Sequence, residues 1–254
     1  MIKVGVNPTG KQITILRLQG RGCKNHLRIE LKVQNVSYII WIFENHRRWQ
    51  SLLRRMPNNK RSGAAMLRAN VKTSWNSTES VPSVSLTAYV DDSAMLIGDV
   101  RLGENVYVGP FVSLRADEAH PIIIGDECNI QDCAVFHGLM GSSIELGRRV
   151  SIAHGAVIHG PLKIGDDSFV GFNSVIHAST IGKKCFIGHA AAVIGVKIAD
   201  GKFVPHGAIV DTSEKAESLG EVPENLRHFN EEVVNVNKEF ALGYRLRAKS
   251  CLSE

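Results

Sequence analysis

An aliphatic residue recurs every six positions over residues 90–210, Gly, Asp and Asn crowd the intervals, and sustained helical periodicity begins only near Pro223. These observations predict a mainly β chain: a parallel β-helix of six-residue units with an α-helix packed alongside at its C-terminal end.

Residues 1–65 differ from the rest. They hold 13 Lys/Arg against 2 Asp/Glu, a balance of +11, whereas the other 189 residues hold 17 against 23, a balance of −6. The formal charge of +5 therefore belongs to the first quarter, and no nucleic-acid partner is expected for the remainder. Pieces of β character (ITILRL, LRIELKV, SYIIWIF) alternate here with basic clusters at Arg47 and Arg48, Arg54 and Arg55, and Lys60 and Arg61, without a periodic face long enough for a domain. The segment lacks the Ser-rich amphipathic character of a transit peptide and the continuous apolar core of a signal peptide. It is expected to be a basic extension outside the functional domain, of the kind an upstream reading of a gene start adds. MLRANVK, beginning at Met66, then opens a lead-in over residues 66–80.

The β-helix is expected over residues 81–211. Val90, Leu96, Leu102, Val108 and Leu114 lie six apart. After four extra residues in RADEAHP the series resumes at Ile124, Ile130 and Phe136. After four more in GLMGSSIE it runs through Leu146, Ile152, Ile158, Ile164, Val170 and Ile176. One residue short each time, it continues at Ile181, Ile187 and Val193, then at Ile198, Val204 and Val210. Each unit supplies a short strand and a corner, and three units close a triangular coil with the aliphatic side chain inward. Coils stack at the interstrand spacing of about 4.8 Å, so backbone groups pair with the coils above and below.

Beyond Val210 the pattern changes. TSEKAESL at 212–219 predicts a short helix capped by Thr212 or Ser213. Pro223 opens a longer one to about Arg247, with Leu226, Phe229, Val233, Val236 and Phe240 as the stripe buried on the β-helix. Helices thus occupy 212–247, and 248–254 is a tail.

A chain of 254 residues, 44% hydrophobic, can bury a full core. The apolar run Val36–Phe43 stops after eight residues at Glu44, short of the ~20 a membrane span needs, so no membrane partner is expected. The five cysteines, Cys23, Cys128, Cys133, Cys185 and Cys251, form no CxxC and no regular spacing. Neither a zinc knuckle nor a disulfide framework is indicated, and a reducing, cytoplasmic compartment is expected.

The repeat decides which histidines can meet. His137 and His159 each follow a repeat position, Phe136 and Ile158, by one residue, and those positions lie three units apart, which is one coil. The two imidazoles should therefore stack on one side of the prism and can converge on one cation. His154 follows Ile152 by two residues, on the preceding side, and points away. A three-His site then needs His154 of a second subunit, and closed symmetry favours a homotrimer with three such sites. Three His ligands with one open position is the pattern of catalytic zinc. A lone histidine in such a strand is ordinarily solvated or satisfied in the core; three at these offsets, with Arg115 one coil below His137 and Gln131 one coil below Ala153, read as a site with polar support. His177 continues the His137 and His159 column one coil higher, as support or surface.

RADE at 115–118, NIQD at 129–132, FHG around His137, SIAHGAVIHGP at 151–161 and VVNVNKEFALGY at 233–244 together resemble the gamma-class carbonic anhydrases of the hexapeptide-repeat superfamily. The resemblance implies a left-handed coil and a trimer, with metal held by His137 and His159 of one subunit and His154 of the next. It implies zinc, with ferrous iron or cobalt as alternatives. It also implies that Gln131 and Asn237 orient the hydroxide or substrate, that Glu118 assists binding or proton transfer, and that Arg115 pairs with Asp117 and Asp132 across the interface. Two departures stand out. The long acidic loop of the founding members is reduced to GLMGSSIE, leaving Glu145 near the next strand, and Asn235 replaces a tyrosine. The short-loop subgroup is the better match.

The expected activity is reversible hydration of CO2 to bicarbonate. Two other readings are a metal-stabilised trimer that binds bicarbonate or serves as a scaffold without catalysis, and a hexapeptide acyltransferase, which would use one His and a protruding loop.

Overall fold

The computed structural model describes residues 66–118 and 120–250, the last three by backbone alone, and four strands before residue 66. Two compact units result, Met1–Arg61 and Ser62–Glu254. In the first, His26–Val33 pairs antiparallel with Val36–Phe43, and Gly5–Val6 with Gln12–Ile13. The basic clusters at residues 47–61 and the tail beyond Ser250 lie outside the described residues.

The second unit is a left-handed parallel β-helix of about seven turns with a C-terminal helix. Three parallel sheets of seven, eight and seven strands form the faces of a triangular prism. The repeat positions stack in register: Ile130 beside Ile152 on one face, Phe136 beside Ile158 on the next, Leu146 beside Ile164 on the third. From Leu96 to Val210 every repeat position is at most 6% exposed, which makes one continuous aliphatic core along the axis. Burying each such side chain contributes about 1.5–3 kcal/mol.

The corners follow the same count. The third residue after a repeat position turns the chain in the left-handed backbone region, with φ of 54–61° at Asn105, Phe111, Glu127, Cys133, Arg149, Asp167, Asn173, Lys184 and Ala190. That conformation costs roughly 1–2 kcal/mol for a residue with a Cβ, and the packed core holds it in place.

The outward side chains distinguish the faces. One face carries Arg101, Ile123, Glu145, Lys163 and Lys197, with Lys163 Nζ 3.2 Å from Glu145 Oε1 one coil away, and is suited to water. A second lies under the C-terminal helix. The third presents Val135, Val157, Val175 and Ile194, each 37–39% exposed, beside His137, His159 and His177.

Helix α1 (Ser213–Glu217) is capped by Thr212, whose hydroxyl accepts from Lys215 N–H. Helix α2 (Glu224–Ser250) packs on the prism. Its buried line is Asn230, Val234, Asn237 and Ala241, one residue on from the expected stripe, while Phe229, Val236 and Phe240 remain 37–47% exposed. The small and amide side chains let the helix approach closely, with Asn230 Nδ2 donating to Asp167 O and Asn237 Nδ2 to Val233 O. The bulkier residues lean into a groove beside it. None of the described helices is long and apolar enough to cross a membrane.

Candidate metal centre

His137 and His159 are register partners on adjacent strands, with ring centroids 5.6 Å apart and planes inclined at 69°. Strand pairing places both side chains on the outer surface because Phe136 and Ile158 occupy the core. His159 Nδ1–H donates to Gly160 O at 3.0 Å, which leaves Nε2 with its lone pair. His137 Nε2 is buried and has no hydrogen-bond partner, 3.7 Å from Glu118 Oε2 and 3.8 Å from Asp117 Oδ1. Arg115 Nη2 holds the other oxygen of Asp117 at 2.8 Å. Glu118 Oε1 accepts from Met140 N–H, tying RADE to the short segment after His137. His177 stands above, edge to face with His159 at 5.0 Å.

His154 lies at the corner after Ser151–Ile152, on the helix-covered side. Its Nδ1 is 3.3 Å from Asp132 Oδ2, and its ring stacks on Phe172 at 5.4 Å. Phe172 in turn stacks on His189 at 4.3 Å, and His189 on His206 at 4.7 Å. Burial first, then His206, lowers the His189 pKa, so its Nδ1 stays an acceptor for Phe172 N–H.

His154 opens on a groove of about 390 Å³ shared with Gln131, Asp132 and Asn237 and walled by Phe229 and Val233. Gln131 is 6% exposed; its Nε2–H donates to Asn129 Oδ1, and Asn129 Nδ2–H donates to Ser151 Oγ, both at 2.8 Å. This ladder fixes the amide and leaves Gln131 Oε1 for the groove. A larger groove, about 760 Å³ between Lys184 and the start of α2, contains none of the expected site residues.

The expected residues thus form two groups: Arg115, Asp117, Glu118, His137 and His159 on one face, and Gln131, Asp132, His154 and Asn237 on another. Among the described residues, no three His, Cys, Asp or Glu side chains of one chain gather as a cation site. The donor chemistry nevertheless fits a divalent metal: an unpartnered buried nitrogen on His137 beside a histidine whose other nitrogen is already engaged. Asn129, Ser151 and Phe172 were not singled out in the sequence as support. Ser151 shares the offset of Asn129 one coil on, so its signal was present. Phe172 reads only as an exposed aromatic.

The carbonic anhydrase of Methanosarcina thermophila is 38% identical over 200 residues, spanning 70% of this chain and 81% of that protein. The chain belongs to the gamma-class carbonic anhydrases. This gamma-class chain is also 36% identical over 188 residues to the carboxysome assembly protein CcmM of Nostoc sp., of which it covers 34%. The hexapeptide repeat of succinyl-transferase matches residues 161–180 and 178–211. Among solved structures, that of a Bacillus cereus acetyltransferase candidate aligns with a TM-score of 0.60 and 25% identity over 71% of this gamma-class chain and 97% of that one. The shared coil accounts for that likeness.

Proposed function

We propose that the protein is a metal-dependent carbonic anhydrase, interconverting CO2 and bicarbonate at three sites between the subunits of a homotrimer. The observation that carries this reading is the partition of the histidines, a convergent His137 and His159 pair on one face and His154 on another. The third face supports the trimer, because its aliphatic ladder is partly exposed in a single chain and suits burial against a second copy.

His137, His159 and the neighbour's equivalent of His154 would hold the cation, with zinc preferred and ferrous iron or cobalt as alternatives. When bound, the cation supplies the Lewis acidity that lets water ionise near pH 7. Asp132 Oδ2 lies 3.3 Å from His154 Nδ1, which leaves Nε2 as the nitrogen to face the cation. Arg115 holds Asp117 against His137. Gln131 Oε1 and the Asn237 amide orient the attacking water and the carboxyl oxygens of the product, and Phe229 and Val233 give CO2 an apolar wall. Glu118, with Oε2 beside His137 and Oε1 tethered, takes the proton and passes it to solvent or buffer.

We read residues 1–65 as outside this unit and the setting as cytoplasmic; a chain starting at Met66 is expected to keep trimer mass and activity. The deciding experiment is metal analysis and stopped-flow CO2 hydration of His154→Ala. Loss of metal from every site and of activity is expected, and full metal retention would refute the site.

One observation favours a second reading, a trimer that binds bicarbonate or scaffolds an assembly without turnover. Glu145, the carboxylate of the short segment, is paired with Lys163 on the charged face and cannot carry protons from His137. Metal-loaded protein that binds bicarbonate yet stays inactive in concentrated buffer would establish that alternative.

A further inference from the structure

We propose that the phenolic hydroxyl of Tyr107 is a substrate-binding donor for bicarbonate in the groove, additional to Gln131 and Asn237; this rests on the carbonic anhydrase reading. Tyr107 is 9% exposed, on the strand one coil below Asn129, and lines the groove with Gln131, Asp132 and His154. Its ring is clamped, stacked on Tyr89 at 5.8 Å and packed against Phe240 at 5.9 Å and Tyr244 at 6.4 Å. Gly109 makes room for it. A Cβ there would stand 3.3 Å from Tyr107 Cε1 and 2.6 Å from Asp132 Oδ1, so the ring edge and the Asp132 carboxylate share one gap over bare backbone.

The two stacked tyrosines differ at their tips. Tyr89 O–H donates to Asp91 Oδ2 at 3.2 Å, whereas the Tyr107 hydroxyl makes no hydrogen bond among the described residues. The hydroxyl is open to the groove, where a ligand oxygen can accept from it. Burial, then Asp132, pushes the phenol up to about 12, so at neutral pH it remains a neutral donor. Of the two substrates, bicarbonate is a strong acceptor and CO2 a weak one, which identifies the species held.

The test is titration of 13C-bicarbonate by NMR into the full-length zinc-loaded trimer. Tyr107→Phe, which keeps the ring, is expected to raise the dissociation constant about tenfold, the range of one hydrogen bond to an anion, with metal content, trimer mass and melting temperature unchanged. Tyr89→Phe should leave binding as in the wild type. Unchanged binding in Tyr107→Phe, or an equal loss in Tyr89→Phe, overturns the assignment while the carbonic anhydrase reading stands. No binding by the wild type overturns both.

Discussion

His137 and His159 face each other across adjacent coils with ring centroids 5.6 Å apart, and the strand register that pairs them also keeps His154 off their face. If each site draws on two subunits, inactive variants should complement. His137→Ala and His154→Ala homotrimers are each expected to bind no metal. Co-expressed, they should form mixed trimers with one intact site each, where an unaltered pair meets an unaltered His154. Native mass spectrometry with metal analysis reads this directly; mixed trimers without metal would refute the shared site.

Glu118 Oε2 lies 3.7 Å from His137 Nε2, the position from which the proposed reaction would hand it a proton. Glu118→Gln is expected to lower kcat about 100-fold in dilute buffer, within the span of a general base, and imidazole buffer should restore much of it. A loss that no buffer relieves would place Glu118 in binding instead.

Ser151 ends the ladder that fixes Gln131. Ser151→Ala leaves the fully buried Asn129 amide one acceptor short, so a stability loss of about 1–3 kcal/mol is expected. Activity should fall roughly tenfold, the lower end for loss of a supporting hydrogen bond. Calorimetry and stopped-flow assays measure the two effects separately.

Cys128 and Cys185 are buried thiols, and burial is the leading reason their pKa values rise to about 12 and about 11. Well below pH 9 both are protonated whether the chain is folded or not, and their contribution to stability is complete. Above pH 9 the unfolded thiols ionise first, so stability should fall as pH rises toward 12. Urea midpoints at pH 8 and 10.5 check this, and the double variant Cys128→Val, Cys185→Val should show the shallower slope.

The fold was legible because the core obeys a count: a position such as Ile152 is aliphatic, inward and six residues from its neighbours. The division of the histidines was legible for the same reason, since offset from a repeat position fixes which face a side chain leaves. Surfaces outside the repeat obey no such count. By helical spacing alone Asn230 looks like a solvent-facing residue, and Asn237 is marked only by the family resemblance; both are buried because small amides with backbone partners permit close packing, and the expected Phe229 and Phe240 stripe turns into the groove instead. Tyr107 and Phe172 were equally silent. Their roles come from neighbours one coil away, His154 for Phe172 and Asp132 for Tyr107, and not from the period.

Stacked coils make a one-dimensional object in which each rung is supported mainly by the two beside it. Such an object frays from its ends. The rungs bearing His137, His154 and His159 have further coils on both sides, so end unravelling must consume several turns before it reaches them. Hydrogen exchange should therefore be slowest at the rungs of the candidate site, the reverse of enzymes whose reactive groups ride on mobile loops.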